Sequence, residues 1–230
     1  MARAVAALAR DGADVIDVGC LPETPFAHLE DSVRALKAEG FRVSVDSIDA
    51  QELLRGGHAG ADYLLSLTAD TLWLADEVAS TPVLIPRTPA DVASLDVAIA
   101  GMQQRGRAFF ADPILDPIPF GFTASIVRYH ALRQRFPDVA IMMGIGNLTE
   151  LVEADTSGIN ALLLGIAAEL NVAAVLTTQV SAHARRAVRE ADWAPDGTSL
   201  AVVDDLGNGR DRLDLPAGTG LHEDSGYLSD

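Results

Sequence analysis

Apolar residues gather in seven short runs along the chain: Asp14–Val18, Phe41–Asp46, Tyr63–Leu67, Pro82–Pro86, Ala108–Asp112, Ala140–Gly144 and Ala173–Thr177. The runs are rich in Val, Ile or Leu, as strands covered by helices on both faces are. The segments between them carry helical signals. Leu29, Val33 and Leu36 follow Thr24-Pro25 at helical spacing, and Gly40 ends the stretch. Asp49 or Ser47 caps a helix through Leu53 and Leu54, and Thr88-Pro89 opens one through Val92, Leu95 and Ile99 that stops near Gly101. Strand–helix alternation of this kind predicts an α/β protein with a parallel sheet.

The segment Ala2–Arg10 reads as a helix with no strand before it. The fold expected is therefore a (β/α)₈ TIM-type barrel lacking its first strand, with seven parallel strands and an open edge between the first and last. A doubly wound open sheet is the alternative, although no G-x-G-x-x-G follows the first strand. Past Ala194 the texture changes. Pro195-Asp-Gly is a turn, Ser199–Val203 reads as a single edge strand, and the remainder to Asp230 is rich in Gly, Asp and Pro. The expected division is a barrel domain over 1–194 and an irregular extension over 195–230.

Charge narrows the partners. A net charge of −16 disfavours nucleic acid and anionic membranes in the absence of a basic patch, and the sequence has none. No apolar run approaches the ~20 residues of a membrane span. Cys20 is the single cysteine, so no internal disulfide can form, and the expected location is cytoplasmic. Lys37 is the single lysine, which leaves arginine for any other fixed cation.

In a parallel barrel, chemistry sits at the C-terminal ends of the strands. Those ends carry Asp17 to Cys20, Asp46-Ser47, Ser66 to Thr68, Arg87-Thr88, Asp112-Pro113, Gly144 to Asn147, and Thr177 to Gln179. Asp, Asn, Ser, Thr and Gln with one arginine suit a flat heterocycle bearing amide and amino groups, because a carboxylate accepts two N–H bonds from such an edge. The same set is poor for several phosphates. Asp17 and Asp46 also suit helix caps, Asp112-Pro113 an ordinary turn, and Asn147 a cap after two glycines. His28, His58, His130 and His183 fall in helical stretches, and no metal-ligand spacing is present.

Four segments resemble the pterin-binding barrel family of dihydropteroate synthases and methyltetrahydropterin methyltransferases: Gly12-Ala-Asp-Val-Ile-Asp-Val-Gly19, Val43-Ser-Val-Asp-Ser47, Phe110-Ala-Asp-Pro-Ile-Leu-Asp-Pro117 and Met143-Gly-Ile-Gly-Asn147. The likeness is strongest to a divergent, dihydropteroate synthase-related branch that accompanies tetrahydromethanopterin enzymes. It implies a transferase of folate or tetrahydromethanopterin biosynthesis in one-carbon metabolism, condensing a hydroxymethyl-dihydropterin diphosphate with an aryl amine. A methyl-tetrahydropterin methyltransferase domain and a non-catalytic pterin-binding module are the alternatives. The resemblance assigns pterin contacts to Asp46, Asp112 and Asn147, with Asp17 on the first strand of the same rim. Arg87 is the candidate anion contact, and Mg²⁺ held with help from Asp17 or Asp46 is the candidate cofactor. A second copy of the chain or a corrinoid protein is the expected macromolecular partner.

Departures from the family accompany the likeness. Its Asn-Asp pair reads Leu65-Ser66 here, its Ser-Arg-Lys reads Gly146-Asn147-Leu148, and its Arg-x-His reads Thr178-Gln179-Val180. The cations that would stabilise a leaving diphosphate are thereby replaced.

Overall fold

The computed structural model of the protein describes residues 2–152, 156–192 and 199–204. The strands are β1 (Val15–Gly19), β2 (Arg42–Asp46), β3 (Tyr63–Leu67), β4 (Thr81–Leu84), β5 (Phe110–Ala111), β6 (Met142–Gly144), β7 (Ala174–Thr178) and β8 (Ser199–Asp204). The helices are α1 (Ala2–Arg10), α2 (Leu29–Ala38), α3 (Ala50–His58), α4 (Leu74–Glu77), α5 (Val92–Arg105), α6 (Phe122–Arg135), α7 (Gly146–Thr149), α8 (Thr156–Glu169) and α9 (Ala187–Asp192). All seven expected runs are strands, offset by a residue or two, and all pair in parallel.

The strands form one sheet in the order β5-β4-β3-β2-β1-β8-β7-β6. The order runs without reversal, which excludes the doubly wound alternative and its switch point. Its two ends meet at a parallel bridge between Ala111 and Ile141, where the Ala111 N–H donates to the Ala140 carbonyl at 2.9 Å. The open edge expected beside β1 is filled. Ser199–Asp204 lies between β1 and β7, in register with Val15–Val18 on one side and Ala174–Thr178 on the other. Among the described residues the sheet thus has eight strands rather than seven, and Ser199–Asp204 belongs to it rather than to an irregular extension. A strand flanked on both sides gains two ladders of hydrogen bonds, which one short apolar run at the end of a polar stretch does not reveal. The turn at Pro195 and the segment beyond Asp204 lie outside the described residues.

Two apolar layers hold the sheet. Ile16, Val18, Val43, Val45 and Leu64 pack with helix residues such as Val33, Leu53, Leu95 and Ile99 in a large buried core. On the other face Leu65, Val83, Met142 and Ala174 form a second cluster with Tyr63, Phe110 and Leu176, which brings β3–β5 against β6 and β7. No helix among the described residues is long and apolar enough to cross a membrane.

Local chemistry sets the helix ends. Asp49 caps α3 by accepting from the Gln51 N–H at 2.7 Å, one of the two caps expected there. For α5 the cap is Asp91 rather than Thr88, and the helix continues through Gly101 to a left-handed Gly106. Gly101 does not stop it because the residue serves packing: a Cβ there would stand 2.7 Å from the Leu72 side chain.

Gly56 has the same role in α3, where a Cβ would lie 2.8 Å from Val45 Cγ2. We expect Gly56→Ala to destabilise the protein despite alanine's better helix propensity. The overpacking term is about 1–3 kcal/mol against a gain of at most ~1 kcal/mol. Urea denaturation checks the sign; a stabilised variant would contradict the close packing of α3 on β2.

Candidate functional site

The site lies at the C-terminal ends of β2, β5 and β6. Asp112 directly follows β5, and its N–H donates to the Leu84 carbonyl at 2.8 Å, which continues the ladder from β4. One carboxylate oxygen is taken from within: Oδ1 accepts from the Tyr129 hydroxyl at 2.5 Å and from the Ile114 N–H at 2.7 Å. The other, Oδ2, faces Gly144, whose added Cβ would lie 3.8 Å from it and 3.6 Å from Asn147 Nδ2. Asp112 and Asn147 therefore approach one point above the bare end of β6. A side chain at Gly144 would fill that space.

The loop after β5 is held in a conformation that L-residues avoid. Ile114, a β-branched residue, has φ 67°. Both ends of its peptide are gripped, the N–H by Asp112 and the carbonyl by Arg128 at 2.7 Å. Arg128 also takes the Pro113 carbonyl at 3.1 Å and pairs with Asp116 at 2.6 Å, where both side chains are mostly buried. Tyr129 and Arg128, neighbours on α6, carry no signal in the sequence. A tyrosine and an arginine on a helix read as packing and surface, and nothing in their spacing points back to Asp112.

Asp46, the last residue of β2, is close enough to Asp112 to be raised by its charge. Burial first, and the Asp112 charge second, raise the Asp46 carboxyl to about 6. Burial likewise lifts Asp112 to about 6, against the lowering pull of Tyr129, the Ile114 N–H and Arg128. Tyr129 itself is pushed well above its ordinary value, by burial and then by Asp112, and stays a donor.

The structure thus brings Asp46, Asp112 and Asn147 to one place. Asp17 lies one layer lower on β1, opposite Ser44, whose hydroxyl donates to Oδ1. Its Oδ2 is buried without a partner among the described residues, and burial followed by the Asp46 charge holds the carboxyl well above its ordinary value. Thr178 Oγ1 and Gln179 Oε1, at the end of β7, are also buried and unpartnered among the described residues. Arg87 makes no hydrogen bond to this group among the described residues. Its guanidinium is exposed and bound to Asp70 at 2.6 and 3.0 Å and to Asp91 at 3.3 Å. Lys37 is held by both oxygens of Asp62 at 2.7 Å.

Asp17 and Asp46 fit Mg²⁺ poorly. One Asp17 oxygen holds Ser44, burial favours both neutral acids, and no cluster of three metal-ligating side chains occurs among the described residues. What the group offers is chiefly two carboxylate acceptors, beside an Asn147 amide nitrogen that donates to the Leu115 carbonyl at 3.2 Å and an Arg128 that is bound to Asp116. That is the chemistry for a ligand edge rich in N–H donors.

No family model matches the chain. It is 31% identical over 199 residues to the uncharacterized protein MJ0107 of Methanocaldococcus jannaschii, a match covering 78% of this chain and 38% of that protein. The chain therefore spans well under half the length of this relative. Among solved structures it is similar to the dihydropteroate synthase of Thermus thermophilus in complex with 6HMPPP. The TM-score is 0.60 at 19% identity, over 83% of each chain. It is also similar to the Yersinia pestis dihydropteroate synthase in a sulfonamide complex, with a TM-score of 0.61 at 17% identity, over 84% of this chain and 81% of that one. At these identities the likeness is one of fold: the chain has a dihydropteroate synthase-like α/β architecture built on a parallel sheet.

The raised carboxyls make stability fall with pH. An aspartate near 3.9 when unfolded and near 6 when folded binds more protons in the native state between those values. Its contribution is complete below pH ~4 and is lost as pH rises through ~6. Asp112→Asn keeps an acceptor for Tyr129 and Ile114 but cannot ionise. We expect wild type to lose on the order of 1 kcal/mol relative to this variant between pH 5 and 7.5, as read by urea denaturation at each pH. Parallel pH profiles would show that Asp112 is not a buried ionising group.

Proposed function

We propose that this chain is a pterin-binding unit of folate- or tetrahydromethanopterin-type metabolism, folded as a (β/α)₈ barrel. Ring closure is supported by the Ala111–Ile141 bridge and by β8 between β1 and β7. The observation that carries the pterin reading is the division of labour within Asp112. One oxygen is fixed by Tyr129 and Ile114, while the other faces the space above Gly144 beside Asn147. A 2-amino-4-oxo ring presents two adjacent N–H donors, which a single carboxylate accepts. In this reading Asp46 contacts the same ring, with Asp17, its carboxyl raised by burial, one layer lower on β1.

The four resembling segments and the fold shared with dihydropteroate synthases favour a transferase that condenses a pterin diphosphate with an aryl amine. The rim opposes that step within this segment. Arg87 is engaged by Asp70 and Asp91, and Arg128, whose charge reaches Asp112, is bound to Asp116. Replacing a preorganised donor where charge develops costs on the order of 10²–10³ in rate.

A second reading, presentation of a methyl-pterin to a corrinoid protein, has its own support. Ile48, Phe120 and Val180 follow β2, β5 and β7, and are exposed apolar side chains on loops at the same end of the sheet.

Two outcomes are expected. In calorimetric titration with 6-hydroxymethylpterin, Asp112→Asn should bind about 1.5–3 kcal/mol more weakly than wild type, roughly 10- to 150-fold. Equal affinity would remove the pterin assignment. In a condensation assay with hydroxymethyl-dihydropterin diphosphate and p-aminobenzoate, with and without Mg²⁺, the chain should turn over no faster than background. Robust product would restore the synthase reading and show that another group supplies the missing charge.

A further inference from the structure

Glu52 is a buried acid with no place in the pocket described above. It stands in the first turn of α3 and is 7% exposed. Its oxygens go to two different loops. Oε1 accepts from the Phe26 N–H at 3.0 Å, and Oε2 accepts from the Ser47 hydroxyl at 2.6 Å. Phe26 belongs to the loop from β1 into α2, while Ser47 directly follows Asp46. The half-buried Cys20 thiol lies close enough to the same carboxylate to be raised by it, and the Cys20 N–H donates to the Asp46 carbonyl at 2.8 Å.

Arg55, further along α3, reinforces the hold. It donates to the Phe26 carbonyl at 3.1 Å and grips Glu30 through two bonds of 2.6 Å. Taking a carboxylate out of water is unfavourable unless donors replace the solvent, and two converge here, one on each oxygen. Those donors share a position rather than a helix. Ser47 adjoins Asp46 in sequence, Phe26 anchors the neighbouring entrance loop, and Cys20 ties that loop's start to the Asp46 carbonyl.

We propose that Glu52 is a positioning residue for the ligand pocket: it latches the β1–α2 and β2–α3 loops to α3 and so fixes Asp46 relative to Asp112 and Asn147. The consequence for Asp46 rests on the pterin reading, whereas the latch stands on the hydrogen bonds themselves. Cys20, the only cysteine of the chain, reports on the latch without any ligand. Its thiol is raised to about 12, by burial first and then by Glu52, so it holds its proton near neutral pH and alkylates slowly.

The test uses the full chain as wild type, Glu52→Ala, Glu52→Gln and Ser47→Ala. Iodoacetamide labelling of Cys20 at pH 8, followed by mass spectrometry, should be at least about tenfold faster in Glu52→Ala, because opening and loss of the negative neighbour both favour the thiolate. Titration with 6-hydroxymethylpterin should be weakened roughly five- to tenfold in Glu52→Ala, as preorganisation is lost. Glu52→Gln should bind pterin within about twofold of wild type, since its amide still accepts from Phe26 and can donate to Ser47. That rescue separates positioning from general destabilisation, which would weaken both variants alike and contradict the proposal. If Glu52→Ala does not fold, Ser47→Ala decides: faster labelling with weaker pterin binding supports the latch, and wild-type values in both overturn it. If wild type itself binds no pterin, the pterin reading fails and labelling alone judges the latch, with unchanged rates in Glu52→Ala overturning it.

Discussion

The candidate site depends on one buried carboxylate held by neutral donors. Asp112 is only 8% exposed, and its Oδ1 is locked by the Tyr129 hydroxyl and the Ile114 N–H. This arrangement fixes the direction of Oδ2 without neutralising the charge, as a facing arginine would. It also dictates its surroundings. Ile114 must take a left-handed φ to present its N–H, and Arg128 must hold its carbonyl in place. Gly144 must lack a side chain for the space beside Oδ2 to exist. A raised carboxyl near neutral pH and a strained isoleucine are both unfavourable for stability, and their coincidence at one strand end is the ground for proposing a binding site there.

The remaining charges follow the same logic. The chain is strongly acidic, yet the cations that could serve the pocket are committed elsewhere. Arg87 is drawn outward to Asp70 and Asp91, Lys37 to Asp62, and Arg128 to Asp116. Asp17, Asp46 and Asp112 are left with carboxyls raised by burial, and Asp17 and Asp46 are raised further by a neighbouring aspartate. A pocket of this kind attracts hydrogen-bond donors and repels multiple negative charge. That preference underlies the proposal of a pterin ring, rather than a diphosphate attached to it, as the ligand of the pocket.

The strands and their parallel order were legible because buried strands carry dense apolar runs, and Asp46, Asp112 and Asn147 were legible because they end those strands. Tyr129, Arg128 and Glu52 were not, since each sits on a helix and reaches a loop distant in sequence, a relation that periodicity does not encode. Arg87, also at a strand end, suggested an anion contact, but the sequence does not show that Asp70 and Asp91 take up its guanidinium. Ser199–Asp204 could be seen as a strand but not placed, because its partners β1 and β7 lie far away in the chain. Gly101 looked like a stop signal because the sequence does not show Leu72 packed against it.

The most direct measurement is a crystal structure of the chain soaked with 6-hydroxymethylpterin. The 2-amino group and adjacent ring N–H should lie about 2.7–3.2 Å from Asp112 Oδ2, with Asn147 at the ring and the Tyr129 hydroxyl still on Oδ1. A pterin bound away from Gly144, or an Asp112 turned from Tyr129 to meet it, would contradict the claim that one oxygen is fixed so that the other can bind.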